Sequence, residues 1–75
     1  MKLIRIVGDN VRGYRKKAGF TQKQLGKRAG VHYSYISRIE NAGVDGNIMI
    51  VARLAKALGI ELSQLMVRNS YLEQA

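Results

Sequence analysis

A chain of 75 residues is sized for one domain; with no cysteine, one histidine and five carboxylates it has no disulfide or thiolate metal site and offers little for zinc. Thirteen Lys and Arg against five acids give a formal net charge of +8, which suits polyanionic partners: DNA, RNA or an acidic membrane surface. A domain this small buries only about 60% of its unfolded surface, so its thin core calls for efficient helix packing, oligomerisation or both.

Proline is absent, and apolar residues recur at three and four, the helical period, rather than at two. Glycines and cap residues divide the chain into about five short helices, so the expected fold is an all-α compact bundle. The first helix is expected over residues 4–18. Val7, Val11, Tyr14 and Ala18 form its apolar stripe, and Gly19 ends it. The second is expected over residues 22–29. Thr21 stands at its N-cap with Gln24 three residues on, the capping-box spacing in which each side chain satisfies an orphan N–H. Leu25 and Ala29 face inward, and Gly30 permits a sharp reversal.

The third helix is expected over residues 33–40. His32 at its N-cap puts Val31 and Ile36 in the positions of a hydrophobic staple. Ile36 and Ile39 point inward, whereas Tyr33, Ser34, Ser37 and Arg38 point outward. After a loop at 41–46, Asn47 caps a fourth helix whose stripe is Ile48, Val51, Leu54, Ala55 and Leu58. A short fifth helix is expected over residues 62–66, with a tail, 67–75, that either extends it or frays.

Two helices of about two turns joined by Gly30-Val31-His32 have the spacing of a helix-turn-helix unit, here residues 21–41. Spacing alone fits any tight helical corner. The residues are more specific. The runs Arg15-Lys16-Lys17-Ala18-Gly19-Phe20-Thr21-Gln22-Lys23-Gln24-Leu25, Ala29-Gly30-Val31 and Tyr35-Ile36-Ser37-Arg38-Ile39-Glu40-Asn41 closely resemble the phage repressor and Cro-type helix-turn-helix family. Leu54-Ala55-Lys56-Ala57-Leu58-Gly59-Ile60 matches that family's fourth helix. Within the family, Gly30-Val31-His32 and Ser34-Tyr35-Ile36 also look like the restriction–modification controller proteins, although the loop after Glu40 is longer here. Gly26 replaces the usual Ala of the second helix, and His32 replaces the usual Ser or Asp cap.

The resemblance assigns roles. The third helix becomes a recognition helix, with Tyr33, Ser34, Ser37 and Arg38 as base-reading candidates. Arg38 suits guanine O6 and N7, whereas the serines read less sharply because a hydroxyl both donates and accepts. Gln22 opens the second helix, where N–H groups favour an anion, and the family uses this Gln on a backbone phosphate. Lys23, Lys27 and Asn41 are further phosphate candidates, with a helix C-cap as the alternative for Asn41. His32 reads as an ordinary cap or a phosphate contact. In the family, residues matching Arg15 and Glu40 pair and tie the first helix to the recognition helix. Leu62, Leu65 and Met66 are many apolar residues for a short terminal helix, and the family forms a two-fold dimer interface in this region, here about residues 60–75.

The charge is uneven. Residues 1–30 carry Lys2, Arg5, Arg12, Arg15, Lys16, Lys17, Lys23, Lys27 and Arg28 against Asp9 alone, which favours a binding face over general solvation. No apolar run approaches the roughly 18 residues of a membrane span, and the first residues do not form a signal peptide, so the cytoplasm is the expected location. With no nucleophile–base pair, phosphate-binding Gly loop or metal cluster, an enzyme, a cofactor and a small-molecule ligand are not expected. The expectation is a homodimeric, sequence-specific regulator of transcription on double-stranded DNA. The rivals are an antitoxin-type autorepressor with a protein partner and a basic RNA-binding protein.

Overall fold

Local signals set the helix boundaries. The Thr21 hydroxyl accepts from the Gln24 N–H at 3.0 Å, and the Gln24 side chain accepts from the Thr21 N–H at 2.8 Å. At the other end, Gly30 holds φ +72°, a left-handed conformation that a residue with Cβ rarely adopts, and the chain turns there. The Asn47 side chain caps its helix by accepting from the Ile50 N–H at 3.4 Å.

In the computed structural model, residues 3–42 and 47–68 are described, with side chains from Arg5 onward. They form α1 (Leu3–Lys17), α2 (Gln22–Ala29), α3 (Tyr33–Ala42), α4 (Ile48–Leu58) and α5 (Leu62–Leu65), with no strand among the described residues. The last four residues of the expected loop, 43–46, and the tail beyond residue 68 lie outside them. So does that part of the expected dimer region.

The core draws on every helix: Val7 and Val11 from α1, Leu25 from α2, Ile36 and Ile39 from α3, Val51, Leu54 and Ala55 from α4, and Leu65 from α5. Val31 in the α2–α3 turn joins them, so the staple pair Val31 and Ile36 sits in one cluster. Helix α1 packs mainly on α3, and α4 lies against α2. This arrangement holds the α2–α3 unit from behind and leaves the outer face of α3 clear.

Three expectations need correction. Ala18 lies past the end of α1 and is exposed, because the chain is already turning toward Gly19. Helix α3 runs two residues beyond Glu40, which places Asn41 inside the helix rather than at its cap. Ile48 is not on the buried stripe of α4: in the helix's first turn it is 48% exposed, and its neighbour Met49 is 67% exposed.

One polar anchor is buried in this core. The Asn10 carboxamide of α1 donates to the carbonyls of Leu65 at 2.9 Å, Val67 at 2.8 Å and Gln64 at 3.3 Å. A four-residue helix ends in orphan carbonyls, and Asn10 supplies their donors. Sequence reasoning passed over Asn10, although Asn in the middle of a helix is a poor helix former and so a sign of tertiary use.

Candidate nucleic-acid interface

The α2–α3 corner is built around Gly26. Its carbonyl accepts from the Val31 N–H at 2.9 Å. A Cβ at this position would stand 2.4 Å from the Val31 carbonyl oxygen and 3.3 Å from the Tyr33 nitrogen. The turn therefore lies flush against the helix axis, closer than an alanine permits. That close approach sets the angle at which α3 leaves the turn.

Behind α3 lies a buried ion pair. Glu40 receives Arg15 Nε at 2.7 Å and Nη2 at 3.0 Å, a two-pronged geometry. Arg15 Nη1 donates to the Phe20 carbonyl at 2.8 Å, joining the α1–α2 connection to the same bracket. Gln22 Nε2 donates to the Glu40 carboxylate at 3.2 Å. The Gln22 side chain is thus partly committed inward, and its second N–H and its carbonyl oxygen remain for the surface. Every buried side-chain polar atom among the described residues has a partner. Arg5, which the sequence reading counted only as charge, donates from Nη1 to the Asn41 carbonyl at 3.0 Å and fastens the end of α3 to α1.

The outer face of α3 carries Tyr33, Ser34, Ser37 and Arg38, spaced so that residues four apart stack along one side. Tyr33, Ser34 and Arg38 are exposed, and Ser37 is half-buried. The Arg38 guanidinium lies 5.2 Å from the centroid of the half-buried Tyr35 ring. Stacking of this kind steadies a long side chain while leaving its N–H edge free. Lys23 of α2 reaches across to 5.0 Å above the Tyr33 ring, which also stacks on His32 at 4.7 Å. At the other end, Asn41 Nδ2 donates to Ser37 Oγ at 3.3 Å. Lys27 is exposed on α2. The structure thus joins Lys23 to Tyr33, Asn41 to Ser37, and Gln22 to the bracket beneath them.

The expected dimer residues separate. Leu65 is fully buried inside this chain, covered by α1 and α4, and has no surface to offer a second copy; that assignment is corrected. Leu62 and Met66 remain half-buried, and Val67 beside them is 59% exposed.

Comparison with known proteins agrees with this geometry. A family model described as helix-turn-helix matches residues 11–65. The control protein C.SmaI of Serratia marcescens is 32% identical over 69 residues, covering 92% of this chain and 82% of its own. The immunity repressor of Bacillus phage phi105 is 28% identical over 68 residues, covering 91% of this chain and 47% of its own length. Among solved structures, the biofilm master regulator SinR in complex with DNA has a TM-score of 0.75 at 29% identity, covering 81% of this chain and 98% of that one. The restriction-modification controller C.AhdI from Aeromonas hydrophila has a TM-score of 0.75 at 28% identity, covering 84% and 90%. With a matching family model over most of its length and an all-helical fold carrying the α2–α3 corner, the chain belongs to the XRE-like helix-turn-helix family of DNA-binding transcriptional regulators.

Proposed function

We propose that the protein is a homodimeric regulator that reads an inverted-repeat operator through α3 and controls restriction–modification genes in the cytoplasm. The observation that carries the proposal is the polar face Tyr33-Ser34-Ser37-Arg38, presented on a helix held from behind by the buried Arg15–Glu40 pair. A reading helix must be fixed in angle and register, and a two-pronged buried ion pair supplies that rigidity.

In this reading, Arg38 makes two parallel bonds to guanine O6 and N7, steadied by Tyr35. Gln22, Lys23, Lys27 and Asn41 surround the reading face and take backbone phosphates, which set affinity and register without specifying sequence. Two copies place their recognition helices about one DNA turn apart, roughly 34 Å. Leu62 and Met66, with the exposed Val67 beside them, form the contact between copies. The controller role rests on likeness to the control protein C.SmaI and to the restriction-modification controller protein C.AhdI.

Selection of bound duplexes from a random pool tests the proposal. An inverted repeat with a G in each half-site is the expected product. Recovery of sequences with no shared motif overturns it.

A further inference from the structure

The residue preceding α3 does more than cap it. His32 Nδ1 accepts a hydrogen bond from the Ser34 backbone N–H at 3.1 Å. On this contact the imidazole proton is assigned to Nε2, because a ring nitrogen that accepts a hydrogen bond carries no proton. The Ser34 hydroxyl oxygen lies 2.7 Å from the same Nδ1. Two oxygen or nitrogen atoms this close need a proton between them, and Nδ1 has none to give. The hydroxyl proton therefore points at His32. The exposed Ser34 Oγ is left with lone pairs and no proton to offer a ligand.

We infer that His32 converts Ser34 from a hydroxyl that both donates and accepts into an acceptor-only reader, so that Ser34 selects an amino group in the major groove: adenine N6 or cytosine N4. This rests on the proposal that α3 reads bases. Serine alone discriminates poorly, because a free hydroxyl rotates to suit an acceptor such as guanine O6 or thymine O4 as readily as a donor. A fixed hydroxyl loses that tolerance. Stacking of the His32 ring on Tyr33 at 4.7 Å and 28° holds the imidazole in place, so the acceptor is not free to swing away. His32 is thus a positioning residue that acts through Ser34, and it sits where a capping Ser or Asp would serve the backbone equally well.

The test is selection from a random duplex pool with the wild type and three variants, with thermal melting of each to establish folding. The wild type is expected to prefer A or C, on the order of five-fold over G or T, at one position of each half-site, the size one hydrogen bond supports. Ser34→Ala should abolish the preference there and leave the other positions intact. His32→Ala should broaden the same position to include G and T, because the released hydroxyl regains its freedom. His32→Asn, whose side-chain oxygen accepts from the same N–H and hydroxyl, should restore the wild-type preference. A loss of stability without a change at this position is the signature of an ordinary cap and overturns the inference. So does a wild-type motif with G or T at the position that Ser34→Ala affects. If the wild type yields no motif, the base-reading proposal itself fails, and this inference with it. If His32→Ala does not fold, the contrast of Ser34→Ala with His32→Asn decides: the first must lose the preference and the second must keep it.

Discussion

Glu40 on α3 and Arg15 on α1 lie 25 residues apart in the chain, yet they share two hydrogen bonds of 2.7 and 3.0 Å in the interior. Only 6% of Glu40 and 8% of Arg15 is exposed. Removing one partner of such a pair leaves the other charge buried and uncompensated, which costs about 3–5 kcal/mol. Arg15 would keep only its bond to the Phe20 carbonyl. Glu40→Ala is therefore expected to lower the urea midpoint steeply with little change in slope, in a domain whose total stability is on the order of 5–15 kcal/mol. Glu40→Gln retains shape and one acceptor and should lose less. An unchanged midpoint for the alanine variant would mean that the pair contributes nothing.

Gly26→Ala is the second test. In an open helix this change stabilises by up to about 1 kcal/mol. Here the new methyl meets the Val31 carbonyl oxygen at 2.4 Å, and that oxygen belongs to the turn backbone rather than to a side chain able to swing aside. The clash should outweigh the propensity gain and cost about 1–3 kcal/mol net. For a domain of this size, each kcal/mol lowers Tm by about 4–8 °C. DNA affinity should fall as well, because the displaced turn re-aims α3. A variant that melts higher than the wild type would show that the corner has slack.

The distribution of what was legible in the sequence follows from distance along the chain. Thr21 and Gln24 are three apart, and Gly30 needs only its own backbone, so the α2 boundaries could be read directly. Asn10 could not be placed, because its acceptors at Leu65 and Val67 are 55 and 57 residues away. Arg5 is similar: its partner is a main-chain carbonyl 36 residues on, which no pattern of side chains announces. Leu65 shows a different gap. An apolar residue in a short terminal helix is the same letter whether its cover is this chain or another copy. Only the packing of α5 on α1 and α4 decides that it is this chain. The outward residues of α3 followed from helical period, but the hydrogen bonds that restrict them, His32 with Ser34 and Asn41 with Ser37, did not.

Leu65 and Met66 are neighbours that should fail in different ways. Leu65→Ala opens a cavity in the core and should cost about 2–5 kcal/mol at any protein concentration. Met66 is half-buried and keeps a surface. Met66→Glu should leave the helical circular dichroism in place while shifting sedimentation toward the monomer, because a charge is then desolvated between two copies. DNA binding should become more concentration-dependent in parallel. If Met66→Glu sediments like the wild type, the contact between copies does not involve this end of α5.

Arg38 and Lys27 separate specificity from affinity. Arg38 is exposed on the reading face and backed by Tyr35, so its edge is free for guanine. Arg38→Ala should cost about 1–3 kcal/mol on the selected operator and much less on unrelated DNA, and the selected motif should lose its G at one position. Lys27 is exposed on α2 and stands for a phosphate contact. Lys27→Ala should weaken every duplex alike and reduce the slope of log K against log salt by about 1, with the motif unchanged. The two variants are best compared in one titration series, on operator and scrambled duplex, across a range of salt. If Arg38→Ala lowers both duplexes equally and takes a unit from the salt slope, Arg38 is a phosphate ligand. The reading of sequence would then fall to Tyr33, Ser34 and Ser37 at the other end of the helix.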